Sequence, residues 1–275
     1  MTLFLVGGTG FIGRHVTKRL AMAGHTVTVF HRGETTPDLP PTVDTVRGNR
    51  DDTDALRTAL DAVAPDIVVD VIPYIEAQAA ALMDVCHGRT DRVVVLSSGD
   101  VYRQYDGLRP ERSEGVVSGL RGSSDHPTDP VPMTEDAPLR ASRYPYRGAE
   151  TDFAYAHDYD KILVEEAVRA GAVPATILRL PKVYGPAAGR TYNVGEPGAL
   201  PQATWLRRVA AAADIDVTIE TAPDEQVEGQ PPFDWRYAMA TDTRRLRTEL
   251  GFAEPVGHAE ALRRTITWEE EARDP

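Results

Sequence analysis

The chain has 275 residues with 42 acidic against 30 basic side chains, a formal net charge of −12. That balance argues against nucleic acid or an anionic membrane surface as a main partner. Cys86 is the only cysteine, which excludes an intrachain disulfide and a cysteine-built metal cluster. The length suits one large α/β domain, or one domain with a small appendage. The apolar start is too short for a signal peptide and no stretch is long enough to span a bilayer, so a cytoplasmic location is expected.

Thr2-Leu3-Phe4-Leu5-Val6 reads as a buried strand, and Gly7-Gly8-Thr9-Gly10-Phe11-Ile12-Gly13 follows it directly. A helix over 14–22 completes the strand, glycine-rich turn and helix of a dinucleotide-binding βαβ unit. Gly7 allows the sharp exit from the strand, Gly10 lets backbone approach a pyrophosphate, and Gly13 lets the helix pack closely on the sheet. The helix N-terminus then offers N–H groups and the positive end of its dipole to the phosphates.

Residues 25–30 form the second predicted strand, after Gly24 ends the helix. His31-Arg32-Gly33 sits at its tip, where a dinucleotide fold selects between cofactors. An acidic residue there would grip the ribose hydroxyls of NAD. Arg32 stands there instead and can pair with a 2′-phosphate, so NADP(H) is favoured and NAD(H) remains open.

Residues 42–47 make a third strand, and Asp52 or Thr53 is positioned to cap a helix over 54–63. Residues 66–72 are nearly all apolar, as a doubly covered parallel strand should be. A helix over 76–87 and a strand over 92–98 follow. This alternation predicts a Rossmann-type, doubly wound parallel sheet. Residues 103–150 break the rhythm and read as a substrate lid or loop insertion. A helix over 158–170, strands over 175–180, 192–194 and 217–220, and helices over 200–213, 243–250 and 258–271 complete the expected elements. The expected organisation is a dinucleotide-binding domain over 1–180 and a small substrate lobe over 181–275, interleaved with the Rossmann core.

The fifth strand ends in Leu96-Ser97-Ser98-Gly99-Asp100-Val101-Tyr102. Ligands of open α/β sheets bind at the carboxyl ends of the strands, so this tip should face the nicotinamide. Here the sequence resembles the extended short-chain dehydrogenase/reductase family, in its NAD-dependent epimerase/dehydratase branch. The resemblance rests on the opening glycine turn, Ser97-Ser98-x-x-Val101-Tyr102 and Pro132-Met133-Thr134-Glu135-Asp136-Ala137-Pro138. It continues through Lys161 with Glu165, Arg179-Leu180-Pro181-x-Val183-Tyr184-Gly185-Pro186, and Asp242-Thr243…Leu250-Gly251-Phe252.

By that resemblance, Ser98 orients the reacting oxygen and Lys161 binds the nicotinamide ribose and lowers the catalytic pKa nearby. Asn49 stands where an Asp often contacts the adenine amino group, and Asp100 where dehydratases of the family carry an acid. The implied cofactor-contacting set is Gly7, Gly8, Thr9, Gly10, Phe11, Ile12, Gly13, His31, Arg32, Asn49, Arg50, Val71, Ile72, Ser97, Lys161, Pro181 and Val183.

The catalytic tyrosine departs from the pattern. The family carries Tyr-x-x-x-Lys on one helical face, and four residues before Lys161 stands His157. Tyr155 and Tyr159 flank it, both pointing away from the Lys161 face on a regular helix. Three readings stay open. His157 is the acid/base, with an ordinary pKa of about 6.5 that suits the task; or the helix starts late, near Asp158, and Tyr155 enters from an irregular segment; or no group replaces the tyrosine.

A second departure is length, because Gly189-Arg190-Thr191-Tyr192-Asn193-Val194 follows Pro186 almost at once. Relatives have several dozen residues there, including a helix that lines the substrate pocket. The trimmed lobe inclines the reading toward an NADPH-dependent ketoreductase acting on a small or secondary-metabolite substrate. A nucleotide-sugar epimerase or dehydratase, and a non-catalytic NADP-binding sensor or scaffold, are the alternatives. No metal site is expected. Cys86 reads as core, Trp205 and Trp268 as packing residues, and Trp235 and Arg236 as residues able to approach substrate. The family's habit suggests a homodimer.

Overall fold

A computed structural model describes residues 1–34, 39–104, 132–149, 151–180, 191–194, 200–220, 240–254 and 256–273. Expectations placed on the lid residues 105–131, on Pro181 and Val183, and on Trp235 and Arg236 lie outside these described residues.

The described strands are β1 (Thr2–Val6), β2 (Thr26–His31), β3 (Val43–Arg47), β4 (Ile67–Asp70), β5 (Arg92–Ser98), β6 (Ala175–Leu180) and β7 (Thr191–Asn193). They form one sheet in the order β3-β2-β1-β4-β5-β6-β7, and every neighbouring pair is parallel. The chain runs outward from β1 to β3, then returns to the other side of β1 with β4. The β1/β4 boundary is therefore the switch point where ligands of such sheets bind. Val6 and Asp70 are register partners there, so the two strands end level.

The helices are α1 (Phe11–Met22), α2 (Thr53–Val63), α3 (Glu76–Cys86), α4 (Lys161–Ala170), α5 (Gln202–Ala212), α6 (Arg244–Leu250) and α7 (His258–Arg273). Strand residues alternate between the two faces of the sheet. Phe4 and Val6 pack with Leu56 and Leu60 of α2, Leu82 and Met83 of α3, and Val164 and Val168 of α4. Leu3 and Leu5 face the opposite layer, where Val16 and Leu20 of α1 meet Val27 and Val29. Cys86 is buried in the first of these layers, and burial pushes its thiol up to about 12. A third cluster joins Leu96, Leu178 and Val194 to Leu246 of α6, so residues past 180 build onto the same sheet. Trp205 of α5 meets His258 of α7 ring to ring at 5.4 Å, whereas the side chain of Trp268 lies outside the described residues.

Two expectations need correction. Residues 217–220 carry no strand, and 215–220 has no regular structure. The alternation Val217-Thr218-Ile219 is too short to define a strand without a neighbour to bond it. The helix expected from 158 begins at Lys161 instead, because Asp160 caps it: its Oδ1 accepts from the Ile162 N–H at 2.9 Å. An aspartate in this position satisfies a first-turn N–H that would otherwise have no partner. Asp52 caps α2 in the same way, accepting from the N–H groups of Asp54 and Ala55.

Residues 132–149 are irregular but fastened at several points. Leu139 bridges to Tyr102 and Met133 to Thr241, and Arg140 is buried to 1 % exposure.

Candidate active site

The glycine turn comes first because it shapes the crevice. Gly7 adopts φ +83°, a left-handed conformation that glycine takes without steric cost. A Cβ on Gly13 would stand 2.1 Å from the Gly7 carbonyl oxygen, so only glycine lets α1 approach β1 this closely. Gly10 differs, since a Cβ there would meet nothing within 4 Å. It also precedes α1 with no side-chain cap on the helix N-terminus. A helix N-terminus with no side-chain cap and a glycine before it is suited to an anion.

At the β2 tip, Arg32 is exposed and paired with Glu34 at 2.8 Å. His31 accepts from the Gly33 N–H through Nδ1. Burial, and then the neighbouring Arg47, hold its imidazole below the ordinary range. Asn49 is exposed and its Oδ1 accepts from the Asp51 N–H. Arg50 points elsewhere: it is buried and bonds Asp70 at 2.8 Å and the Ile72 carbonyl at 2.7 Å. That arginine ties the loop after β3 to the end of β4. Val71 and Ile72 are half-buried at the same edge, and Ile72 packs against the Gly7 Cα, where a Cβ would lie 2.7 Å from it.

Lys161 opens α4, and its ammonium is buried at the carboxyl ends of β4 and β5. Its Nζ donates to the Pro73 carbonyl at 2.7 Å and the Leu96 carbonyl at 3.0 Å. The ring centres of Tyr74 and Tyr159 stand 5.5 and 6.0 Å from it. Burial pulls the ammonium down to about 8, against the carboxylates of Asp70 and Asp100, which favour its charge.

Ser98 ends β5, half-buried, with its Oγ accepting from the Asp100 N–H at 3.1 Å. Asp100 is buried and its Oδ2 accepts from the Tyr159 hydroxyl at 3.1 Å. Burial first, and the nearby Asp100 carboxylate second, push the Tyr159 phenol well up. Ser97 points the other way and donates to Glu165 at 2.6 Å. Burial opposes ionisation of Glu165, yet paired bonds from Arg179 hold its carboxyl below the ordinary range.

The late start of α4 redistributes the tyrosine candidates. His157 lies before the helix and not one turn down its face; its side chain is 73 % exposed and bonds Asp158. Tyr155 does enter from an irregular segment, but its hydroxyl donates to Asp51 at 2.7 Å, on the loop after β3. Tyr159 is the phenol that reaches the Ser98–Asp100 turn. Sequence reasoning set it aside because a regular helix would turn it away from Lys161. The signal available was Asp160 itself, a helix-capping residue directly before Lys161. Sequence reasoning also missed Tyr74 as a neighbour of Lys161. Tyr74, Phe153, Tyr155 and Tyr159 form one aromatic cluster, with ring centres 5.0 to 6.5 Å apart.

Among the described residues no group of His, Cys, Asp or Glu can hold a metal ion, and no helix is long and apolar enough to cross a membrane.

Fold and crevice together define a dinucleotide-binding protein of the Rossmann type. The sequence model of the NAD-dependent epimerase/dehydratase family matches residues 3–238, and the chain belongs to that family. A protein named 2′-dehydrokanamycin reductase, from Streptomyces kanamyceticus, is 30 % identical over 217 residues. The match covers 78 % of this chain and 50 % of that protein, so the chain spans about half the length of this relative. Two solved structures share the fold. The Bordetella bronchiseptica enzyme WbmG, in complex with NAD, superposes with a TM-score of 0.64 at 15 % identity, covering 98 % of this chain and 94 % of that one. A UDP-glucose 4-epimerase from Thermotoga maritima, with UDP-glucose, gives 0.67 at 13 % identity and 100 % of each chain.

Proposed function

We propose that the chain is an NAD(P)-dependent oxidoreductase that moves a hydride between nicotinamide and a carbonyl or alcohol carbon. Within that class we favour an NADPH-dependent reductase of a small carbonyl compound, such as a secondary metabolite. The observation that carries the reading is the buried Lys161 ammonium at the switch-point side of the sheet, with the Ser98 turn and the Tyr159 phenol beside it. The resemblance to a protein named as a reductase supports the direction of the reaction. The short connection after Pro186 supports a substrate smaller than a nucleotide sugar.

The dinucleotide, when bound, supplies or accepts the hydride. The α1 N-terminus holds its pyrophosphate, Lys161 its ribose hydroxyls, and Arg32 a 2′-phosphate once it leaves Glu34. Ser98 orients the substrate oxygen. In reduction, the Tyr159 hydroxyl turns from Asp100 to that oxygen and gives it a proton as the alkoxide develops. The resulting phenolate takes its replacement proton from solvent, and in oxidation the same steps run in reverse, the proton leaving the alcohol through the Tyr159 oxygen to solvent. Tyr155, bonded to Asp51, belongs to the adenosine end of the crevice and takes no part in this transfer.

Turnover separates this reading from an epimerase or dehydratase, because a reductase consumes NAD(P)H stoichiometrically and the others return it. Calorimetric titration with both dinucleotides tests the phosphate preference. Equal affinity, or tighter NAD(H), would sink the assignment of Arg32. A protein that binds a dinucleotide but reduces no carbonyl across a broad panel would point to a sensor or scaffold.

A further inference from the structure

Arg140 carries a feature that the chemistry above does not use. It comes from the irregular 132–149 segment, yet it is among the largest fully buried side chains of the protein. Its backbone N–H donates to the Val101 carbonyl at 2.8 Å, which fixes it beside the turn after β5. Its Nε donates to the Asp100 carbonyl at 2.9 Å. The other end of the guanidinium grips Asp160 with two bonds, 2.8 Å to Oδ1 and 3.2 Å to Oδ2. Neither side chain of that pair is exposed at all. Asp160 in turn caps α4 immediately before Lys161.

A buried ion pair is weak evidence for stability, because removing two charges from water costs about as much as their attraction returns. An apolar contact would hold the segments together equally well. What the guanidinium adds is geometry, a planar fork whose donors fix two partners in one orientation. Here those partners flank the two halves of the site: the Ser98–Asp100 turn on one side, the start of the Lys161 helix on the other.

We propose that Arg140 is a positioning residue, setting the distance between the Ser98 turn and the Lys161 helix start. The proposal rests on the reading of Ser98 and Lys161 as the working pair, and the test separates the two. The chain has only three lysines, Lys18, Lys161 and Lys182, so lysine labelled with carbon-13 at Cε gives three assignable signals. Three variants are compared: Arg140→Lys, Arg140→Met, and the double variant Arg140→Met with Asp160→Asn.

The single Met variant leaves the buried Asp160 carboxylate without its guanidinium, held only by the Tyr144 and Ile162 N–H groups, so it should melt at a lower temperature than wild type. The double variant removes both charges. It should keep a cooperative melt and the wild-type Lys161 titration midpoint, and lose about a hundredfold in kcat, the cost of a misplacement near one ångström. Arg140→Lys keeps the charge without the fork, so it should also lose kcat with little change in the midpoint. An Arg140→Lys variant with wild-type kcat, or a double variant with wild-type kcat and an unmoved Lys161 signal, would overturn the proposal. If the wild-type protein reduces no carbonyl, the reductase reading fails. The Lys161 Cε chemical shift at neutral pH then still decides the role of Arg140: a shift unmoved in both Arg140→Lys and the double variant refutes it, and a moved shift with an unchanged titration midpoint supports it.

Discussion

The Tyr159 hydroxyl donates to the Asp100 carboxylate at 3.1 Å, joining the residues before α4 to the turn after β5. This bond brings a phenol to the Ser98 turn although no tyrosine occupies the family's usual position. Tyr159→Phe should therefore lower kcat by about a hundredfold or more, in the range expected for loss of an acid/base group. His157→Phe should stay within about threefold of wild type, because that imidazole is in solvent. Steady-state kinetics of the two variants decides between them. A His157→Phe loss larger than that of Tyr159→Phe would reverse the assignment.

The two glycines of the turn should separate packing from binding. Gly13→Ala forces a Cβ to within 2.1 Å of the Gly7 carbonyl and should destabilise the fold by about 2 kcal/mol or more. Gly10 has an ordinary φ of −75° and open space around it, so Gly10→Ala should leave the urea midpoint unchanged. Its Cβ projects where the phosphates approach, and dinucleotide affinity should fall about tenfold. Chemical denaturation and calorimetry on the pair give the four numbers. A Gly10→Ala variant that binds like wild type removes the pyrophosphate from this turn.

The Lys161 ammonium, held down to about 8, makes stability depend on alkaline pH. The unfolded lysine titrates near 10.4, so between about pH 8 and 10.4 the unfolded chain binds more protons than the folded one. In that window stability rises with pH. Below it, the cost of burying the charge is present in full. Lys161→Met lacks this dependence, so the stability of wild type relative to the variant should increase across the window and stay flat from pH 6 to 7.5. Urea midpoints at matched pH values measure it. A flat difference throughout would mean that the buried ammonium titrates normally.

Cys86 offers a check on the core. Its thiol is buried and pushed up to about 12, so the reactive thiolate is scarce and inaccessible at neutral pH. An aromatic disulfide reagent at pH 8 should leave the native protein unmodified for hours and titrate one thiol per chain in denaturant. Fast native labelling would show that the layer of α2, α3 and α4 opens locally.

The sequence by itself determined the parallel sheet and the glycine turn, left the α2 cap between Asp52 and Thr53, and singled out Ser98 and Lys161 only through the family resemblance. The first two rest on local physics: apolar runs that only a doubly covered strand tolerates, and glycines that only a tight turn requires. Tertiary structure decided which tyrosine reaches the Ser98–Asp100 turn. Face arguments presuppose a helix, and Asp160 delays α4 by one turn, so the spacing of four that singles out His157 has no geometric meaning. It also decided the fate of arginines that look alike in sequence. Arg50 and Arg140 enter the core because buried carboxylates, Asp70 and Asp160, wait for them there, while Arg32 stays in solvent at a strand tip. The carboxylate partner of Arg50 is 20 residues away in the chain, and so is that of Arg140. A pairing at that distance is fixed by the sheet order and by the way the segments pack, which no local pattern encodes.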